Sequence, residues 1–130
     1  MEHLHVDDAF EQLKNIYQAL VPGGIYLCLT PNRLNGPHDI SRYFDTEATG
    51  FHLKEYTVTE LTRLFRNAGF SEVAMYFGVK GNFIRLPVFP AALCERIVEL
   101  LPAKAGRRLA KTRLISALTS IRLIGVKAKE

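Results

Sequence analysis

Cysteine is scarce in this 130-residue sequence: Cys28 and Cys94 lie 66 positions apart, too few for a disulfide framework or a four-ligand zinc site. They read as two small buried apolar thiols in a reducing cytosol. No stretch approaches the roughly 18 uninterrupted apolar residues of a spanning helix, so a transmembrane protein is not expected. The opening Met-Glu-His-Leu-His-Val-Asp-Asp is acidic and lacks the basic-then-apolar pattern of an export signal. That points to a cytoplasmic protein. Internal repeats, low-complexity tracts and metal-finger spacings are also missing.

What is present is globular: 48% of residues are apolar and 23% charged, enough for one core in a single domain and too short for two. The net charge of +4 conceals an asymmetry. Residues 1–80 carry 7 Lys/Arg against 10 Asp/Glu, whereas residues 81–130 carry 10 against 3. The basic half lacks the interleaved aromatics of a base-stacking surface, so no nucleic-acid partner is expected. A solvated basic face on amphipathic helices accounts for it, with an anionic membrane surface as the alternative.

Phe10, Leu13, Ile16, Tyr17 and Leu20 recur at three- and four-residue steps and predict a helix over 7–21, with Asp7 and Asp8 as caps and as favourable charges near the N-terminal end of its dipole. Pro22-Gly23-Gly24 ends it, and Ile25–Thr30 follows as a continuously apolar strand, the pattern of a parallel strand covered on both faces. Residues 31–56 show no period but contain Phe44, Phe51, Leu53 and Tyr56, which argues for an ordered binding loop rather than disorder. Thr57-Val58-Thr59-Glu60 is a capping box opening a helix that Gly69 stops. Residues 71–79 predict a strand with Val73, Met75, Phe77 and Val79 on one side, and 82–86 either extend it or form a loop. A helix runs to Leu101, and a second helical stretch sets Leu109, Leu114, Ile115 and Leu118 opposite Arg107, Arg108, Lys111 and Arg113. Both are expected to pack on the sheet, with a lid or an anionic surface as the other uses of their basic faces. Residues 120–129 predict a closing strand antiparallel to 71–79.

In this order, Glu2-His3-Leu4, Leu20-Val21-Pro22-Gly23-Gly24, Thr30-Pro31-Asn32, Phe51-His52-Leu53-Lys54-Glu55-Tyr56-Thr57 through Glu60-Leu61, and Ala68-Gly69-Phe70 resemble the C-terminal half of a class I, Rossmann-like S-adenosylmethionine-dependent methyltransferase. The resemblance spans about residues 2–79. It implies an α/β, partial Rossmann-like fold: a fifth strand and a C-terminal antiparallel strand pair with flanking helices, lacking the N-terminal cofactor-binding strands. It divides the chain into a family-like core (1–79), a variable helical insertion (80–119) and a closing strand (120–130). Members of the family grip the cofactor with a glycine-rich loop after the first strand and an acid after the second. This sequence has no G-x-G-x-G. The resemblance therefore implies a fragment that is inactive by itself. S-adenosylmethionine would be the cofactor of a full-length parent and would not bind this chain alone. A sheet cut at its fifth strand leaves an open apolar edge, so pairing with a cofactor-binding chain, or self-association, is expected. A non-catalytic interaction module using that edge and a basic peripheral membrane protein are the alternatives from other classes.

The acceptor implied is a small molecule or a lipid. His52, placed by the resemblance at the site mouth, is the candidate catalytic base, against the alternative of a loop histidine bonded to backbone. Glu2 and His3 border the methionyl end of the cofactor. Asn32, Arg33, His38, Arg42 and Tyr56 are candidate acceptor-binding residues, with His38 a possible imidazole oriented by Asp39. Relatives with Glu-x-x-Glu-His bind a divalent ion at this point. Only the last two of those residues are present, so no metal is expected.

Overall fold

Helix α1 (Val6–Ala19) buries Ala9 and Leu13 on its inner stripe. Its N-cap position is His5, whose side chain makes no capping bond, and Asp7 and Asp8 lie in the first turn, where their charge favours the positive end of the helix dipole. They are the favourable dipole charges the sequence predicts but not the caps, and the helix stops two residues earlier than expected. The end of α1 has no basic residue of its own. Lys127 supplies the charge from the far end of the chain, its Nζ donating to Tyr17 O at 3.0 Å and Leu20 O at 2.8 Å. The computed structural model describes residues 1–79 and 81–129. Lys80 and Glu130, outer ends of the expected insertion and closing strand, and the side chain of Val79 lie outside the described residues.

Strand β1 (Ile25–Thr30) follows the glycine turn. Helix α2 (Val58–Asn67) opens with the expected capping box: Glu60 N donates to Thr57 Oγ1 at 3.1 Å and Thr57 N to Glu60 Oε2 at 2.9 Å. Gly69 takes φ +110° after its end, a conformation that costs a residue with a Cβ. Strands β2 (Glu72–Val79) and β3 (Asn82–Leu86) form a hairpin, so 82–86 is a strand of its own. The second helical stretch is likewise two helices. After α3 (Phe89–Leu100) come α4 (Ala103–Ala110) and α5 (Arg113–Thr119), parted where Thr112 turns extended. Strand β4 (Ile121–Val126) closes the sheet.

The strands stand in the order β1-β4-β2-β3, every neighbour antiparallel. The closing strand thus pairs with β2 as expected, but it also inserts beside β1. Strand β1 is therefore not a parallel strand covered on both faces: its pairing is antiparallel, and Ile25, Leu27 and Leu29 are 47%, 46% and 62% exposed. One face of β1 is thus apolar and open. Because β4 opposes both neighbours, β1 and β2 run in the same direction. In β2 the expected one-sided pattern gives way to burial of Ala74, Met75 and Tyr76 in succession, since neighbours cover both faces there.

The core gathers Leu13 of α1, Cys28 of β1, Leu61 and Phe65 of α2, Met75 of β2 and Leu123 of β4. Cys28 is buried as expected, whereas Cys94 is only half-buried. Gly125 has no room for a side chain: a Cβ there would lie 2.6 Å from the Phe65 ring and 2.7 Å from Phe70. Helices α3–α5 pack on one another and on α2 rather than spreading over the sheet, and Leu93, Ile97 and Leu100 stay exposed.

The helical insertion is fastened by Glu95, 1% exposed. Its carboxylate accepts from Asn32 Nδ2 (2.7 Å), Val58 N (2.6 Å), Thr59 N (2.9 Å) and Thr59 Oγ1 (2.7 Å). Two of these donors are the orphan N–H groups of the first turn of α2, where an anion is favoured. Replacing Glu95 with Ala leaves all four unsatisfied. The expected loss is about 3–5 kcal/mol, the range for removing one charged partner from a buried network, measured by urea unfolding. Glu95→Gln, which keeps an acceptor oxygen, is expected to lose less.

Candidate functional site

Thr30, at the carboxyl end of β1, donates its hydroxyl to Glu2 Oε2 at 2.6 Å. This brings the opening residues to the end of the sheet from which the long loop departs. Leu53 N and Lys54 N donate to Glu2 O at 2.8 and 3.2 Å, so residues 1–5 lie along the returning limb of that loop. Its two limbs meet where Arg33 N donates to Tyr56 O at 2.9 Å. The stretch expected as an ordered loop is ordered by such bonds, with short 3-10 turns at Arg33–Asn35 and Ile40–Tyr43.

Two carboxylates organise the loop. Asp39 accepts from Ser41 N (2.9 Å), Gly50 N (3.0 Å) and His52 N (3.1 Å). Burial pushes its carboxyl up, but these donors outweigh that and hold it at about 2. Glu55, 4% exposed, accepts from His38 N at 2.8 Å and from His52 Nδ1 at 2.6 Å. A Cβ on Gly36 would collide with this carboxylate, so glycine lets the backbone pass close to it.

A carboxylate only accepts, so His52 Nδ1 is the donor in this contact, and Nε2 is the ring nitrogen left without a hydrogen-bond partner among the described residues. By the same reasoning His3 donates from Nδ1 to Phe51 O at 3.1 Å, and its Nε2 lies 3.8 Å from Glu2 Oε1. The two rings meet edge to face, 5.0 Å between centroids. One ligand atom each from Glu2, His3 and His52 falls within 4.8 Å of the others. Glu2 is acidic: burial pushes it up, while the Thr30 hydroxyl, its own backbone N–H and the Met1 ammonium bring it down to about 2.

Of the residues singled out in the sequence, Glu2, His3 and His52 therefore come together. His38 does not lean on Asp39 as the sequence suggests. Its Nε2 bonds Asn32 O (3.0 Å) and Asn35 Oδ1 (2.8 Å), and Asp39 is fully used in tying the loop. Asn32 is 2% exposed, with its amide donated to Glu95 and to Thr119 O at 2.8 Å. Tyr56 is 1% exposed and its hydroxyl has no partner among the described residues. Burial pushes that hydroxyl's pKa up, and the nearby Glu60 charge adds to the rise. Arg33 stands apart, near Glu60 (3.3 Å) and Glu99 (3.6 Å), beside a cavity of about 290 Å³ against α3 and α4. Arg42 stacks on Tyr43 at 4.7 Å. With His38, Ile40 and Phe51 these two line an open hollow of about 360 Å³. Tyr43 and Phe51 in its wall are exposed, as is the neighbouring residue in sequence, Phe44. Sequence reasoning missed Glu55, Thr30 and Glu95. The His-x-x-Glu spacing of His52 and Glu55 was a usable signal for the first; the other two act over 28 positions or more.

No protein-family model matches the chain, and no solved structure matches it. Over 75 residues the chain is 37% identical to a protein of Mycolicibacterium smegmatis described as a "probable S-adenosylmethionine-dependent methyltransferase". The match covers 58% of this chain and 27% of that relative. The chain is thus similar to a methyltransferase over rather more than half its own length, and to about a quarter of the relative's. No helix of the described residues is long and apolar enough to cross a membrane.

Because the Asp39 pKa is lowered in the fold from an ordinary 3.8 to about 2, its contribution to loop order is complete above about 4. It disappears as pH falls through about 2. Amide resonances of Ser41, Gly50 and His52 are expected to shift together across that window in NMR spectra, and Asp39→Asn to abolish the transition.

Proposed function

We propose that this chain is the acceptor-side, C-terminal part of a Rossmann-like S-adenosylmethionine-dependent methyltransferase acting on a small-molecule or lipid acceptor. Its segments are the core (1–79), the variable insertion (80–119) and the closing strand (120–130). The match to the mycobacterial methyltransferase carries the reading. The sheet supports it: β1 and β2 run the same way around a reversed β4, and among the described residues the outer edge of β1 has no partner, where a fourth strand would pair.

In this reading S-adenosylmethionine would supply the methyl group as a sulfonium, and this chain's residues would hold the acceptor in line with it. Positioning supplies much of the rate. For an acceptor that must lose a proton, His52 Nε2 takes it, while the buried Glu55 steadies the ring and the positive charge it acquires. Glu2 and His3 would border the methionyl end of the donor. His38 and Arg42 line the hollow for the acceptor, and Arg33 lines the neighbouring cavity. Asn32 and Tyr56 act from behind, fixing the two limbs of the loop. The exposed Leu93, Ile97 and Leu100 beside the basic α4 favour an apolar acceptor or a membrane surface as its source.

S-adenosylmethionine serves the complete site; the glycine-rich grip belongs to a segment or chain that pairs with β1. Calorimetry is expected to find no micromolar binding of S-adenosylhomocysteine to this chain alone. Grafting its matched residues into the mycobacterial relative in place of their counterparts is expected to retain such binding. A folded chimaera without binding, or tight binding by the lone chain, overturns the proposal.

The open edge and the face of Ile25, Leu27 and Leu29 are expected to drive self-association of the isolated chain, read by sedimentation velocity. Leu27→Lys with Leu29→Lys is expected to return it to a monomer. A wild-type chain that sediments as a monomer at tens of micromolar overturns this part.

A further inference from the structure

We propose that the outward side of α3 lies flat on an anionic lipid bilayer, held there by the basic residues of α3, α4 and α5. The helix carries more apolar surface than its packing uses. Ala91, Glu95 and Val98 face inward and are buried. Phe89, Leu93, Ile97 and Leu100, spaced by four, four and three, are 70%, 46%, 47% and 78% exposed. That spacing puts all four on one side of the helix, over about 16 Å of its length at roughly 1.5 Å per residue. A contiguous apolar stripe of this kind, open to water and rimmed by charge, marks a surface that meets something else.

The charge around the stripe selects the occupant. Between residues 87 and 120 the basic side chains are Arg96, Lys104, Arg107, Arg108, Lys111 and Arg113, and all of them are exposed. None pairs with a carboxylate among the described residues. The acids of the same segment do not offset them: Glu95 is buried among its donors, and Glu99 lies 3.6 Å from Arg33. Lys104, Arg108 and Lys111 recur at four and three residues, so they share one side of α4 and its cap. A second copy of the chain would bring these cations against their own kind, and they repel. A strand added to the edge of β1 would sit at the opposite side of the sheet from β3, the strand that leads into α3. Nucleic acid would answer the charge but leave Leu93, Ile97 and Leu100 in water, since aliphatic side chains offer bases no stacking face. An anionic bilayer answers both features. It takes the stripe into the headgroup boundary and the cations onto its surface.

The surface stands apart from the methyl-transfer reading: vesicle binding needs neither donor nor acceptor, so its failure leaves that reading untouched. The test floats the chain at low salt with vesicles of phosphatidylcholine alone or of an equal mixture with phosphatidylserine. Binding to the mixture and not to the neutral vesicles is expected. The triple variant Lys104→Ala, Arg108→Ala, Lys111→Ala is expected to bind about 100-fold more weakly, at roughly fivefold per charge. Leu93→Gln with Ile97→Gln, which leaves the charge unchanged, is expected to lose about tenfold or more. All five positions are exposed, and circular dichroism checks that the variants fold. The sequence has no tryptophan, so Ile97→Trp reports the face directly. Its emission is expected to shift to the blue on the mixed vesicles, while that of Leu29→Trp on β1 stays unchanged. Absence of binding to the mixed vesicles overturns the proposal, with or without binding to RNA, as does equal binding to the neutral ones. Undiminished binding by either folded multiple variant overturns it too. So does a blue shift from Leu29→Trp in place of Ile97→Trp, because the face of β1 would then be what meets the lipid.

Discussion

The carboxylate of Glu95 is placed where three parts of the chain must agree: the limb leaving β1, the first turn of α2, and the helical insertion to which Glu95 itself belongs. A buried charge is tolerated only when donors surround it, and here a side-chain amide, a hydroxyl and two helix N–H groups do so. The helix-end donors are themselves without intrahelical partners, so the same contacts relieve two buried needs. The consequence reaches the site. Asn32 is anchored at the foot of the loop, and its backbone oxygen is one of the atoms that hold His38.

The loop of residues 31–56 repeats this device nearer the surface. Asp39 gathers three backbone N–H groups from positions 41, 50 and 52, and Glu55 joins the amide of His38 to the ring of His52. Few regular backbone bonds are available there, so carboxylates replace secondary structure as the organising element. The result is a histidine held in one orientation at a partly open position, with exposed aromatics nearby, on a stretch that periodicity alone leaves blank.

Much of the fold was legible because its signals are local. The Thr57–Glu60 capping box, the Gly69 stop, the glycine turn before β1 and the closing strand are each written in a few consecutive residues. The antiparallel insertion of β4 between β1 and β2 was not: continuous apolarity in Ile25–Thr30 fits burial on both faces, and only pairing partners distant in sequence decide otherwise. The cap on α1 shows the same gap, since Lys127 arrives from more than a hundred positions away. In the site, His52 could be singled out from its segment. Its company of Glu2 and His3, and its dependence on Glu55, follow from Thr30 drawing the opening residues onto the loop.

The placement of β4 also dictates an order of events during synthesis. In the sheet, β1 has β4 as its partner among the described residues, yet about 90 residues separate Thr30 from Ile121. At about 5–20 residues per second, the ribosome takes on the order of 5–20 s to deliver that partner. Throughout that interval Ile25–Thr30 is an apolar segment with an open edge on both sides, while the β2–β3 hairpin, local in sequence, is free to form early. Nascent chains of this protein therefore pass through a window in which a chaperone, or a strand from elsewhere in the polypeptide, has first access to β1.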